Sequence, residues 1–173
     1  MTFPEITFAN VLDYIGTLAF AISGIRLAST KRFDWFGAYV VGLATAIGGG
    51  TVRDLLLDVP VFWMRNGIYF LITLLALLLV VLFGKVVVRQ KYTWFIFDTI
   101  GLGMFAVIGI EKTLGVGYPF WVAIVMGSVT GAGGGVIRDV FLNEVPLIFR
   151  AEIYAVACVL GGLAYWACHL CGW

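Results

Sequence analysis

Apolar residues fill six long blocks of this chain, at 8–28, 34–57, 66–84, 93–111, 118–142 and 149–171, separated by short polar or charged turns. Each is close to the ~20 residues a helix needs to cross the hydrocarbon core of a bilayer, so the pattern predicts six transmembrane helices. The block at 66–84 is almost pure Leu, Val and Ile with no charge, and is the plainest lipid-facing span. Others carry groups that packing alone would avoid: Asp13, Gly16 and Gly24 in the first, Asp98, Gly101 and Gly109 in the fourth. Trp35, Trp63, Trp94 and Trp121 stand at block ends, where indole rings favour the headgroup region. The first block lacks a basic segment before it, its positive charges Arg26, Lys31 and Arg32 coming afterwards, so it reads as a retained span and not a signal peptide.

Composition agrees. Of 173 residues, 62% are hydrophobic and 12% charged, which makes an integral membrane protein and leaves no room for a large soluble domain. A net charge of +1 gives no electrostatic case for nucleic acid. Cys158, Cys168 and Cys171 lie near the only histidine, His169, but their spacing matches no standard metal-ligand pattern, and they read as small packing residues.

The segment Gly48-Gly49-Gly50-Thr51-Val52-Arg53-Asp54 occurs again as Gly133-Gly134-Gly135-Val136-Ile137-Arg138-Asp139, 85 positions later. At the same separation Asp13, Gly16, Phe20 and Gly24 match Asp98, Gly101, Phe105 and Gly109. Gly42, Thr45, Arg65 and Tyr69 match Gly127, Thr130, Arg150 and Tyr154. An in-phase match over three spans is a duplication. Residues 1–84 form the first repeat, 85–92 a basic cytoplasmic linker and 93–173 the second repeat.

Three is odd, so the second repeat enters the membrane from the opposite side and the repeats are inverted. Many transport proteins with this architecture build a pathway from interrupted helices near the middle of the membrane. Loops one, three and five collect Arg26, Lys31, Arg32, Lys85, Arg89, Lys91 and Arg150, against Arg65 and Lys112 on the other side. The positive-inside rule makes the first side cytoplasmic and the N-terminus external.

Three glycines in a helix admit two readings, and we expect both together. One is an interruption or kink at Gly48, Gly49, Gly50 and at Gly133, Gly134, Gly135, freeing carbonyls for a cation and N–H groups for an anion. The other is close packing, since Ala38, Gly42, Ala46 and Gly50, and Ala123, Gly127, Gly131 and Gly135, form small-residue stripes at i, i+4 spacing. A nucleotide-binding loop is rejected because no strand precedes either triplet.

Arg53-Asp54 and Arg138-Asp139 must face the bundle interior, water, or one another unless they snorkel to an interface. Asp13 and Asp98 cap helix N-termini, pair with an arginine of the glycine helices, or bind an ion directly. Thr45, Thr51, Ser128 and Thr130 offer hydroxyl oxygens to a cation, or back-bond to helix carbonyls. Phe20 and Phe105 are large enough to constrict a pore. No catalytic set emerges, so the chain is not expected to be an enzyme, nor to need a cofactor or a resident metal.

The duplicated GGG(T/V)(V/I)RD, with the duplicated D-x-I-G-x-x-x-F-A-x-x-G-I of spans one and four, resembles the prokaryotic branch of the trimeric intracellular cation (TRIC) channel family. That branch is also described as a two-repeat bacterial membrane family with a proposed glycine-transport role. The resemblance runs from about Leu12 to Gly162. It implies a homotrimer with one pore per protomer, kinked at the glycine triplets, and passive conduction of potassium or other monovalent cations. It also implies residence in the plasma (inner) membrane of a prokaryote. Family members usually have a seventh span, which this sequence does not contain.

The expectation is therefore an all-α integral membrane protein of two inverted three-helix repeats, forming a potassium-permeable cation channel amid membrane lipid. The competing expectations are an alternating-access carrier of a small amino acid such as glycine, and a non-conducting structural or lipid-binding assembly protein.

Overall fold

The computed structural model describes residues 8–83, 93–150 and 152–170, and all of its regular elements are helices. The first repeat contains α1 (Phe8–Thr30), α2 (Trp35–Leu56), a one-turn α3 (Phe62–Arg65) and α4 (Ile68–Leu82). The second contains α5 (Thr93–Gly115), α6 (Phe120–Phe141), a one-turn α7 (Leu147–Arg150) and α8 (Glu152–Leu170). Among the described residues α1, α2, α5 and α6 are long and apolar enough to cross a membrane, while α4 and the Cys158–Ala167 part of α8 are shorter apolar helices. The linker 85–92 with Lys85, Arg89 and Lys91, the residue Cys171, and the side chains of Tyr154, Cys168 and His169 lie outside the described residues.

The ends of the two glycine helices show why the motif is duplicated. Asp34 precedes α2 in an extended conformation and its carboxylate accepts the Gly37 N–H at 2.7 Å, satisfying one of the orphan donors of the first turn. At the other end Asp58 takes φ 53°, with Val59 N–H donating to the Asp54 carbonyl and Asp58 N–H to that of Leu55. The second repeat repeats this closure at Asn143 (φ 55°), with Glu144 N–H donating to Asp139 and Asn143 N–H to Val140. Both are Schellman closures, and Asp and Asn are the residues after glycine that best tolerate the left-handed position. The turns containing Pro60 and Pro146 then redirect the chain into α3 and α7, which the sequence pattern had not predicted.

Two antiparallel crossings hold the repeats together. A Cβ placed on Gly49 would lie 2.1 Å from the Thr130 carbonyl oxygen, and one on Gly134 would lie 2.1 Å from that of Thr45. A step toward the C-terminus of α2 thus meets a step toward the N-terminus of α6, which requires the two helices to run in opposite directions. The same exchange relates α1 and α5: Phe20 fills the space beside Gly101, and Phe105 the space beside Gly16. The two rings meet edge to face with centroids 5.2 Å apart. Within each repeat, Gly24 lies against Gly42 and Thr45, and Gly109 against Gly127 and Thr130. Small residues let these backbones touch, which is how helices associate where lipid removes the hydrophobic drive.

Both glycine helices continue unbroken through their triplets. The interruption read from the sequence is corrected accordingly: the described backbone keeps helical hydrogen bonding there, so no half-helix ends are released. Close packing is the part of the reading that the geometry carries. The lipid-facing character of α4 holds on one side, with Leu71, Leu74, Leu75, Leu78 and Leu82 exposed, whereas Tyr69, Thr73, Ala76 and Val80 form a buried stripe at helical spacing.

Candidate functional site

The Arg-Asp pairs mark two half-sites, one at each end of the α2/α6 crossing. In the first, Asp54 Oδ1 accepts from Arg53 Nε at 2.8 Å and from Lys112 Nζ of α5 at 2.8 Å, and its Oδ2 accepts the Phe62 N–H at 3.0 Å. This carboxylate is fully buried and serves three elements at once: it orients the arginine beside it, holds the first residue of α3, and ties α2 to α5. The Phe62 ring lies beneath both cations, its centroid 5.9 Å from the Arg53 guanidinium carbon and 6.0 Å from Lys112 Nζ. Across the space Asp13 Oδ2 accepts the Tyr69 hydroxyl at 2.5 Å.

Between these groups lies a cavity of ≈ 380 Å³, lined by Asn10, Asp13, Arg53, Tyr69, Glu111 and Lys112 among others. Its lining sets two carboxylates, Asp13 and Glu111, against two cations, Arg53 and Lys112, while the Asp54 carboxylate is buried behind the cations. The vestibule is therefore polar, and Asp13 and Glu111 are the groups in it that attract a cation.

The second half-site uses the same frame and closes it. Arg138 Nε donates to Asp139 Oδ1 at 2.8 Å, and Asp139 Oδ2 accepts the Leu147 N–H at 3.1 Å, as in the first repeat. Here, however, Arg138 Nη1 also pairs with Asp98 of α5 and donates to the Ser23 hydroxyl of α1 at 2.8 Å. Ser23 donates onward to the Trp94 carbonyl at 3.0 Å, and the Trp94 ring covers the guanidinium at 5.4 Å. Arg138 and Asp98 have no solvent exposure. The nearby cavity of ≈ 240 Å³ is lined by Trp94, Asp139, Glu144 and Arg150 among others, but neither Arg138 nor Asp98 faces it.

The difference follows from unequal residues at matched positions. Lys112 corresponds to Leu27, and Ile108 to Ser23. In the first repeat the lysine draws Asp54 toward α5 and Tyr69 occupies Asp13, so no direct Arg53–Asp13 bond is formed among the described contacts. In the second repeat the serine gives Arg138 a polar partner on α1 and the arginine reaches Asp98. A buried ion pair of this kind repays its desolvation only with good geometry and added hydrogen bonds, and Ser23 and Asp139 supply them.

Each sequence-derived candidate has a definite place. Asp13 and Asp98 sit inside their helices and not at their starts, so the capping alternative is replaced by the Tyr69 and Arg138 contacts. Thr45, Thr51, Ser128 and Thr130 donate to the carbonyls of Val41, Ile47, Ile124 and Met126, each four residues earlier, at 2.6 to 3.0 Å. Thr51 additionally accepts the Trp63 indole N–H at 2.9 Å. Phe20 and Phe105 are buried against each other between the half-sites. Tyr69, Lys112, Ser23 and Trp94 were missed as site residues. Tyr69 was visible as a repeat-matched identity, but Lys112 had been counted only as a loop charge and Trp94 only as an interfacial ring.

Comparison with known proteins adds one family model, two relatives and two solved structures. A family model described as "Glycine transporter" matches this chain twice, at residues 10–85 and 95–170. The UPF0126 inner membrane protein YadS of Escherichia coli K12 is 42% identical over 160 residues, covering 89% of this chain and 75% of that protein. The UPF0126 membrane protein YvgT of Bacillus subtilis is 43% identical over 157 residues, covering 89% of this chain and 77% of its own. Among solved structures, the TRIC trimeric intracellular cation channel orthologue from Rhodobacter sphaeroides superposes with a TM-score of 0.91 at 36% identity, covering 97% of this chain and 87% of that one. A prokaryotic TRIC channel crystallised in 0.5 M KCl gives 0.86 at 34% identity, covering 91% and 82%.

Proposed function

Since this chain belongs to the two-repeat membrane family described as glycine transporter, and shares its fold with solved TRIC cation channels, we propose that it is a cation channel of a prokaryotic inner membrane. The proposal extends to potassium permeation through one pore per protomer and to assembly as a homotrimer. Support for the channel reading comes chiefly from one observation: a polar vestibule with the Asp13 and Glu111 carboxylates in its lining lies at one end of the α2/α6 crossing, while the matched position at the other end is plugged by Arg138 on Asp98.

With the N-terminus external, the open vestibule faces outward and the plug faces the cytoplasm. Cations are concentrated at Asp13 and Glu111, and passage requires Arg138 to leave Asp98. The charged groups would then set the local field, and selectivity among monovalent cations would be modest, because among the described residues no ring of carbonyls or carboxylates surrounds the path. The Thr45 and Thr130 hydroxyls, although donating to their own helices, keep lone pairs for a passing ion, and the bend at the triplets stays part of this proposal. Phe20 and Phe105 form its narrowest apolar section.

The test is flux from reconstituted vesicles. Potassium efflux that does not saturate with concentration and is unaffected by glycine supports the channel. Saturable, exchangeable glycine uptake without potassium efflux would replace it with the carrier, and the absence of both would leave the assembly role.

A further inference from the structure

The turns that end the two glycine helices share a backbone and differ in charge. After α6, Glu144 follows the left-handed Asn143 and its N–H donates to the Asp139 carbonyl; after α2, Val59 follows Asp58 and donates to Asp54 in the same way. In the second repeat the side chain at this position is an ion-pair partner: Glu144 Oε1 accepts from Lys31 Nζ at 2.5 Å, and Oε2 lies 3.9 Å from Arg150 Nη2. Lys31 in turn matches Val116, so the first repeat has valine at both positions of the pair.

Glu144 and Arg150 also line the ≈ 240 Å³ cavity of the second half-site, with Leu27 of α1, Trp94 of α5 and Asp139 of α6 among its other walls. Lys31 immediately follows α1, four residues beyond Leu27 and hence on the same face one turn nearer its end. The Lys31–Glu144 pair therefore joins α1 to the turn after α6 on the outward side of this cavity. On the inward side Asp139 Oδ1 accepts from Arg138 Nε, so the cavity ends at the carboxylate that orients the plug. The pair itself is 41% and 36% exposed, which makes it weak and leaves it open to screening. The range of a charge in solution shrinks from about 10 Å at 0.1 M salt to about 3 Å at 1 M.

We propose that Lys31 and Glu144, with Arg150 beside them, form an ionic-strength-sensitive lid over the second half-site. At low salt the pair holds the α6–α7 turn against α1 and restricts access to Asp139; as salt rises the turn moves off α1 and the cavity opens as far as the plug. Because the pair is weak, the opening is graded. The first half-site, with Val59 and Val116 at the matched positions, has no such response. The consequence for flux rests on the channel reading above: with this end in the cytoplasm, a rise in internal ionic strength admits cations to the Arg138–Asp98 plug.

Thiol accessibility in detergent micelles reads the lid without requiring conduction, so its outcome is separate from that of the potassium efflux assay. With Cys158, Cys168 and Cys171 replaced by alanine, Leu27→Cys places a thiol on the cavity wall, and an uncharged methanethiosulfonate reagent reports its exposure. The modification rate should rise about two- to fivefold between 50 mM and 1 M KCl, the range open to a weak surface pair. Sucrose of matched osmolality should leave it unchanged. Lys31→Gln and Glu144→Gln should each give the faster rate at both salt concentrations. Leu147→Cys, on another wall of the same cavity, serves if Leu27→Cys does not fold. A rate indifferent to salt in the protein with its pair intact, a rise reproduced by sucrose, or a salt response that survives in both glutamine variants would overturn the proposal.

Discussion

Gly49 presses its α-carbon against the carbonyl oxygen of Thr130, at a point where any side chain would begin 2.1 Å from that oxygen. Gly134 makes the same contact with Thr45, so a single backbone crossing carries both repeats.

From this contact, Gly49→Ala and Gly134→Ala should each destabilise the protomer by at least ~3 kcal/mol, the upper part of the range for overpacking, because the obstacle is backbone and cannot rotate away. Gly115→Ala, where no atom lies within 4 Å, is the matched control and should leave the thermal midpoint in detergent unchanged. Alanine at the triplets therefore cannot separate a pathway role from a packing role. The separation has to come from the charged half-sites.

Asp98→Asn leaves Arg138 buried with a weakened partner. It should cost ~3–5 kcal/mol of stability and, because the plug at the second half-site is loosened, raise open probability in single-channel records. Replacing both residues with apolar ones of similar size should recover much of the stability and keep the site shut. Unchanged gating in Asp98→Asn would remove Arg138–Asp98 from the path.

Lys112→Leu installs the residue found at the matched position in the first repeat. Asp54 keeps Arg53 and the Phe62 N–H, so the fold should survive, while the vestibule loses a positive charge. Single-channel cation conductance should rise by about twofold or more at low salt and converge on the unmodified value in concentrated KCl, as screening removes the difference.

Lys31 and Glu144 meet at 2.5 Å on the exposed side of the second half-site, joining the end of α1 to the turn after α6. The lysine hydrogen bond, and then its charge, hold the Glu144 carboxyl below its ordinary value of 4.5. A lowered folded value means the contribution is complete above the unfolded value and fades as pH falls through the folded one. Glu144→Gln should therefore lower the unfolding midpoint slightly at neutral pH and remove the decline below about pH 4.5, so that variant and unmodified protein converge in acid, as read from unfolding midpoints across pH.

How much of this was visible beforehand depends on range along the chain. Block boundaries follow from hydrophobicity summed over twenty residues, and α1, α2, α5 and α6 appear close to where that sum puts them. The duplication and the Arg-Asp pairs are identities in one string. What Arg138 touches is set by the register at which α6 crosses α1 and α5, so Ser23 and Trp94 could not be paired with it from spacing. The Tyr69 bond to Asp13 likewise joins two helices whose rotation no local pattern specifies. At four residues each, α3 and α7 are too short for periodicity, though the carboxylates of Asp54 and Asp139, eight residues before the N–H groups they accept, explain them afterwards. The triplets misled because glycine's low helix propensity was given more weight than the contact that requires it.

The central claim is that cations cross between the two Arg-Asp half-sites and that Arg138 on Asp98 holds the path shut. The most direct measurement is planar-bilayer recording of the unmodified protein and of Asp98→Asn under a KCl gradient. Discrete currents reversing near the potassium potential, with longer openings in the variant, are expected. An electrically silent protein, or currents that reverse near the chloride potential, would contradict it.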